Sequence, residues 1–149
     1  MRNGPGLVLA LIAAEPAGAA EPAGIAQPVS VAVTGLRNAR GKVLACLTER
    51  PRAFPDCSKD PAARHLTVVA ERGAVQIDFG PVPPGTYAVS LFHDENGNGR
   101  LDTVMAIPRE GYGFSNDAPV RFGPPRFSAA AFAVEHGPVH LAVRMRYLF

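Results

Sequence analysis

Glycine and proline interrupt this chain so often that no long stretch is free to form an extended helix. The sequence holds 15 glycines and 15 prolines among 149 residues, and both residue types mark turns. Between these breaks apolar residues alternate with polar or small ones, as at Val29, Val31 and Val33. Such alternation places one face of a strand in the core and the other toward solvent. The pattern therefore predicts short β-strands joined by many turns.

Seven segments fit this description. They are residues 29–34, 42–47, 65–70, 75–79, 86–93, 129–134 and 139–147. The first two are expected to pair as a hairpin through the turn at residues 36–41. An alternative for residues 129–131 is one turn of helix. Short strands with frequent turn signals are typical of a sandwich, so the expected fold is all-β: a single antiparallel seven-strand sandwich over residues 29–149.

The first twenty residues differ from the rest. Arg2 precedes an apolar run at residues 7–14 and small residues at 17–19, which is the layout of a secretory signal peptide. We predict a signal peptide at residues 1–20, with cleavage between residues 19 and 27, and a linker at 21–28. The expected location is periplasmic or secreted. A disordered cytoplasmic N-terminus is the alternative.

The composition limits the function classes. Hydrophobic residues make up 47% and charged residues 19% of the chain, with a formal charge of +2, which argues against wholesale disorder. No run of Lys and Arg is longer than two residues, so no nucleic-acid partner is expected. No apolar run is long enough to span a bilayer. The expected partner is an envelope or extracellular molecule whose identity the sequence does not reveal.

Two cysteines agree with export. Cys46 and Cys57 are eleven positions apart, with Pro51 and Pro55 between them. In an oxidising compartment this spacing suits a local disulfide. Two free, buried thiols are the alternative.

The most specific motif is the segment DENGNGRLD at residues 94–102. Oxygen-bearing side chains stand at positions one, three and five, and Gly99 stands at position six, where a calcium loop needs a sharp turn. The expected ligands of a weak, structural Ca²⁺ are Asp94, Asn96, Asn98, the Arg100 carbonyl and Asp102.

This segment departs from the helix-flanked calcium motif in two ways. Position twelve is Met105 instead of a bidentate glutamate, and a predicted strand, not a helix, precedes the loop. Glu110 and Asp117 are the candidates to fold back and complete the shell. The alternative is a metal-free connection in which Asn and Asp side chains bond their own backbone.

Four aromatic residues on the glycine-rich and proline-rich segment that follows are a candidate ligand groove. They are Tyr112, Phe114, Phe122 and Phe127. The alternative is that the rings pack down and anchor a long loop.

Enzyme signatures are missing from the sequence. It has no nucleophile-elbow serine, no phosphate-binding glycine loop that opens a helix, and no paired-histidine metal motif. The four histidines are scattered, and His93 is expected to face solvent at a strand end. We therefore expect a structural or binding module. The alternative is a small metal-dependent, hydrolase-like enzyme that uses the long loop after the fifth strand.

Three blocks carry a family resemblance. They are VPPGTYAVSLFHDENGNGRLDT, IPREGYGFSN and FGPPRFSAAAF, in this order. Over residues 29–147 the chain resembles the exported bacterial proteins grouped as domain of unknown function 2141. The resemblance implies an Ig-like or transthyretin-like sandwich outside the cytoplasm and implies no reaction.

Overall fold

A computed structural model describes residues 24–149. The predicted signal peptide at residues 1–20, its cleavage site up to residue 23 and the first part of the linker lie outside the described residues. The strands are β1 (Gln27–Thr34), β2 (Lys42–Thr48), β3 (Arg64–Val69), β4 (Val75–Val82), β5 (Gly85–Asp94), β6 (Thr103–Val104), β7 (Ile107–Pro108), β8 (Gly111–Phe114), β9 (Phe132–Val134) and β10 (Val139–Arg144). One short helix, α1, covers Phe127–Ala130.

The strands form two main sheets with a shared apolar core. The smaller sheet has the order β10-β1-β4, and the larger has the order β3-β2-β5-β8, with β9 pairing the start of β5. Strands β6 and β7 form a separate two-stranded hairpin. The core contains Val31 from β1, Ile77 from β4, Val43 from β2 and Val89 from β5, all inaccessible to solvent. The arrangement confirms the all-β prediction and is sandwich-like.

The predicted pairing of the first two strands is wrong. Strand β1 pairs with β4 and, in parallel, with β10 from Val29↔Val139 to Thr34↔Arg144. Strand β2 pairs instead with β3 and β5. The sheet is therefore not wholly antiparallel. Alternation indicates which face of a strand is buried, but it carries no information on which strand lies beside it.

The strand count also differs from seven. Strands β6, β7 and β8 all lie in the segment after β5 that was expected to be one long loop. The predicted sixth strand, residues 129–134, begins inside α1, and only Phe132–Val134 forms a strand. The other six predicted strands are present with bounds that differ by a few residues.

The larger sheet is covered on its outer face as well. Ala88, Phe114 and Ala130 form a second buried cluster, and Phe54 and Phe127 pack against it. The Ser115 side chain, fully buried, accepts a hydrogen bond from the Val89 N–H at 2.9 Å. Strand β5 is thus buried on both faces, which explains its nearly continuous apolar sequence.

Cys46 and Cys57 form a disulfide, with 6.3 Å between their Cα atoms. It ties β2 to the short 3-10 turn at Cys57–Lys59. In the described part of the chain, no helix has the length and apolarity that crossing a membrane would require.

Candidate functional site

Two connections meet at one end of the larger sheet. Lys42, the first residue of β2, lies opposite Asp94, the last residue of β5. The loop before β2 therefore meets residues 94–110, which we call the acidic loop. Gly41 lies between them with φ at 69°, and a Cβ there would overlap the Asp94 carbonyl group. This close approach requires glycine.

Asp94 organises the first turn of the acidic loop. Its side chain is almost fully buried, at 1% exposed. Oδ1 accepts hydrogen bonds from the Gly97 N–H at 2.9 Å and the Asn98 N–H at 3.1 Å. Oδ2 accepts one from the Gly99 N–H at 2.8 Å. One carboxylate therefore satisfies three backbone donors that have no strand partner.

The other predicted ligands are partly brought together. The Oδ1 atoms of Asn96 and Asn98 accept backbone N–H groups two residues ahead, at 3.1 and 2.9 Å. Their Nδ2 groups donate to the Asp102 carboxylate, at 2.6 Å from Asn96 and 2.9 Å from Asn98. Arg100 donates through its own N–H to Asn98. The hydrogen bonds from Asn98 and Asn96 hold the pKa of Asp102 below its usual value, against the opposing effect of burial.

Glu110 folds back onto this loop. The residue is 5% exposed, and its two oxygens accept hydrogen bonds from the Glu95 N–H at 2.9 Å and the Asp102 N–H at 3.0 Å. It therefore connects the two halves of the acidic loop. Asp117, the other candidate, lies elsewhere and accepts the Arg144 N–H at 2.9 Å.

Glu95 is the centre of a charged cluster. Its carboxylate accepts from Arg37 Nε at 2.7 Å, Asn38 Nδ2 at 2.9 Å and Arg40 at 3.1 Å. Burial acts to raise the pKa of Glu95, but hydrogen bonds from Asn38 and Arg37 and the Arg37 charge outweigh it, so the pKa is lowered. The guanidinium of Arg37 also lies 4.6 Å from the centre of the Tyr147 ring.

His93 is fully buried beneath this cluster, so the expectation that it faces solvent is wrong. Its Nε2 lies 2.6 Å from the Arg40 carbonyl oxygen, and its Nδ1 lies 2.8 Å from the Tyr147 hydroxyl. A carbonyl oxygen can only accept, so Nε2 carries the hydrogen, and in the neutral ring Nδ1 accepts from Tyr147. Burial raises the pKa of Tyr147, and the hydrogen bond from the Arg37 N–H opposes this.

Sequence reasoning missed four members of this site: Arg37, Asn38, Arg40 and Tyr147. The first three belong to a charged segment before a glycine, which was interpreted only as a turn. The sequence does contain a signal, because three polar residues lie just before Gly41, a glycine in close contact with another segment. Nothing in the local sequence indicates that this other segment is the end of β5.

An open cleft of about 550 Å³ lies against the cluster. Its walls are Arg37, Glu95, Asn96, Asp102, Thr103, Arg109, Glu110 and Phe149.

Within residues 24–149, no three His, Cys, Asp or Glu side chains are placed to hold a metal ion by themselves. A calcium ion would depend on amide and carbonyl oxygens as well as carboxylates, and both asparagines would have to turn Oδ1 toward Asp102. The chemical types of the donors fit calcium, and the present amide orientation suits hydrogen bonds.

The four candidate groove residues do not share a groove. Tyr112 and Phe114 are buried at 5% and 8% exposed. Phe54 contacts Phe114 and Phe127 edge to face, with centroid separations of 5.7 and 6.0 Å. Phe122 is fully exposed on the loop before α1. Three of the rings therefore lie on the outer face of the larger sheet.

These features define an all-β, sandwich-like protein whose larger sheet ends in a hydrogen-bonded acidic loop beside an open polar cleft. A family model described as "Uncharacterized protein conserved in bacteria (DUF2141)" matches residues 31–142, and the chain belongs to this family. The resemblance found in the sequence is thereby confirmed. Neither a curated protein nor a solved structure matches the chain.

Proposed function

We propose that this protein acts outside the cytoplasm as a binding or structural module with an Ig-like or transthyretin-like sandwich plan, and that the acidic loop is its binding end. The observation that carries the proposal is the ordering of this loop around Asp94, Glu95 and Glu110, beside an open cleft. Loops held on a rigid sheet are the usual location of binding surfaces. The disulfide supports an extracytoplasmic location because such bonds persist in oxidising compartments.

Binding is favoured over catalysis by how the polar groups are used. Asp94 and Glu110 are occupied by backbone N–H groups, and both ring nitrogens of His93 have partners within the fold. A general acid or base needs an atom that can reach the substrate proton. Here the carboxylate oxygens of Asp94 and Glu110 and the ring nitrogens of His93 are used to hold the fold of the loop.

The proposal includes weak, structural calcium binding by the acidic loop. Asp102 offers its carboxylate oxygens and Arg100 its carbonyl, and both asparagine amides already contact Asp102. Asp94 Oδ2 accepts a single N–H, from Gly99, and so keeps a lone pair for a cation. Rotating each amide about its terminal torsion would replace Nδ2 by Oδ1 against the carboxylate. The Asn98 N–H then keeps Asp94 as its acceptor, whereas the Arg100 N–H gives up its bond to Asn98 Oδ1. In that orientation the asparagine Oδ1 atoms face the Asp102 carboxylate, and a cation between them would offset the repulsion. With so few carboxylates in the loop, the Kd for calcium should be about 10⁻⁴–10⁻³ M.

The calcium test is thermal unfolding and calorimetric titration in EDTA and in ~10 mM calcium, well above that Kd range. Calcium at about 10–100 times Kd should stabilise the fold by about 1.4–2.7 kcal/mol. Asp102→Asn should remove this gain, whereas the control Glu71→Gln, at an exposed turn residue, should retain it. An absence of both heat and thermal shift in wild type contradicts calcium binding and leaves the metal-free loop.

The location is tested separately. Mass spectrometry of the exported protein should find a new N-terminus between residues 19 and 27, as the small residues after the apolar run predict. Recovery of the chain with Met1 intact in the cytoplasmic fraction would contradict export.

A further inference from the structure

The hairpin of β6 and β7 has an unusual tip. Val104 pairs with Ile107, and the two residues between them, Met105 and Ala106, have φ values of 50° and 64°. Two-residue hairpin turns with positive φ at both central positions strongly prefer Asn-Gly or similar pairs. Residues with larger side chains are disfavoured there because Cβ crowds the backbone. The tip therefore carries apolar side chains at a cost in conformational strain. Because strained backbone conformations cluster at functional sites, this strain favours a functional role for the tip.

These side chains are also exposed. Met105 is 91% exposed, Val104 42% and Ile107 44%, so three of the eight exposed large hydrophobic side chains of the described residues belong to this tip. Phe149, 67% exposed, lines the cleft beside Thr103 at the base of the hairpin. A concentration of apolar surface on a protruding turn is typical of an interaction site.

The charges around the tip indicate the chemistry of the partner. Arg100 and Arg109 flank the hairpin, are exposed, and make no ion pair within the described residues. The nearby carboxylates point inward: Asp94 is 1% exposed and Glu110 5%, and the Glu95 side chain is 8% exposed. The half-buried Asp102 is bonded to two asparagines. The hairpin therefore presents an apolar tip with an exposed basic residue shortly before it and another shortly after it in the chain.

We infer that the β6–β7 tip docks on an anionic lipid surface. Met105, Val104 and Ile107 enter the boundary between headgroups and acyl chains, and Arg100 and Arg109 contact lipid phosphates. Apolar side chains flanked by arginine suit this interface, where burial and attraction to anionic lipids act together. The tip lies within the acidic loop, so the inference rests on the proposal that this loop is the binding end; the lipid contact itself uses no metal.

The test is flotation of the processed protein with vesicles of phosphatidylcholine alone or mixed with phosphatidylglycerol, in EDTA. Wild type and all variants are used in the exported, processed form, because the apolar run at residues 7–14 of the unprocessed chain would itself bind lipid. Wild type should float with the anionic vesicles. Met105→Glu should weaken binding at least about tenfold, because it removes the deepest apolar group. Arg100→Gln and Arg109→Gln should each weaken it by about fivefold.

Two further variants distinguish binding through the tip from nonspecific adsorption and from loss of binding caused by misfolding. The double variant Met105→Asn with Ala106→Gly gives the turn its preferred residues, so it should unfold at higher denaturant concentration and yet lose vesicle binding. Phe122 is an aromatic residue on another loop that, like Met105, is almost fully exposed. The variant Phe122→Ser should bind vesicles as wild type does.

Three results would overturn the inference. The first is wild type that does not float with anionic vesicles, and the second is equal loss of binding in Phe122→Ser and Met105→Glu. The third is a concentration-dependent dimer in sedimentation that Met105→Glu abolishes without any change in vesicle binding. That result would make a second copy of the chain the occupant of the tip.

Discussion

The two ends of the larger sheet are ordered by different chemistry. Strands β2 and β5 are antiparallel, so the loop after β2, residues 49–63, and the acidic loop after β5 leave at opposite ends. The first, which we call the cysteine loop, is held by the disulfide and by Phe54 in the outer apolar cluster. The acidic loop is held by carboxylates that accept backbone N–H groups. The cysteine loop therefore has a covalent anchor that ionisation does not affect, whereas the acidic loop is held by side chains alone.

The cysteine loop also uses one carboxylate. Asp60 is 4% exposed and accepts from the Thr48 hydroxyl at 2.6 Å and the Ala62 N–H at 3.0 Å. The hydrogen bond from Thr48 is the largest cause of its lowered pKa, and Arg50 at 3.4 Å contributes. At this end, however, the carboxylate supplements a covalent link. At the other end Asp94, Glu95 and Glu110 act without one.

The largest expected effect is at the cysteine end. Replacing both Cys46 and Cys57 with serine opens the loop that their eleven-residue separation closes. The chain-entropy model assigns about 3 kcal/mol to a loop of this size. Urea unfolding should show a loss of about that amount relative to the oxidised wild type.

Hydrogen exchange makes the same variant a test of the comparison. Amides of the cysteine loop should exchange faster in the variant. For the amides of Gly97, Gly99 and Asp102, the difference between the local opening free energy and the global unfolding free energy should stay as it is in wild type. Equal loss of protection in both loops would mean that the two ends are one cooperative unit. Such a result would remove the distinction drawn between them.

An intermediate effect is expected from Glu110→Gln at the acidic end. A glutamine keeps one acceptor oxygen, but its NH₂ group then faces a backbone N–H of Glu95 or Asp102, donor against donor. A buried, unsatisfied donor costs about 1–3 kcal/mol. Chemical denaturation should show a loss in this range, and Glu71→Gln at an exposed site should change little. Unchanged stability of Glu110→Gln would show that the carboxylate does not hold the loop.

How far the sequence predicts each end follows from the range of the interactions. Both cysteines and all members of the Asp94–Asp102 turn are close in sequence, so spacing alone identifies them. Strand β5 is likewise visible from its own residues. By contrast, Tyr147 reaches His93 only because the preceding residue, Arg146, bridges to Tyr112 on β8, the strand beside β5. Likewise, Glu110 reaches Glu95 only after the β6–β7 hairpin turns the chain back.

The failed hairpin has the same cause. The turn before Gly41 contains the residues expected between paired strands, but β1 finds its partners in β4 and β10. A local pattern sets the conformation of each segment, whereas pairing is decided by the packing of all the core faces together. The part of the site that sequence could not predict is therefore the part assembled across strands.

The smallest expected effect tests the dependence of the acidic end on ionisation. The folded-state pKa of Glu95 lies below its ordinary value because the hydrogen bonds from Asn38 and Arg37 and the Arg37 charge outweigh the effect of burial. A group with a depressed folded pKa stabilises the fold fully above its unfolded pKa, about 4.3 for glutamate. This stabilisation is lost as the pH falls through the folded value, because the folded state then takes up the proton that the unfolded state already holds.

Glu95→Gln should therefore reduce stability by about 1 kcal/mol at pH 7, since the exposed Arg40 contributes little and Arg37 and Asn38 contribute most. The difference from wild type should shrink as the pH falls below about 4.3, because protonated glutamate and glutamine are alike in charge. Urea unfolding from pH 7 to pH 2 measures this convergence. Arg40→Gln, which removes the contact at 3.1 Å from a side chain 73% exposed, is the matched control and should cost less at every pH. A gap between wild type and Glu95→Gln that stays constant down to pH 2 would show that the Glu95 side chain acts through its shape, and that its ionisation does not help to hold the acidic loop.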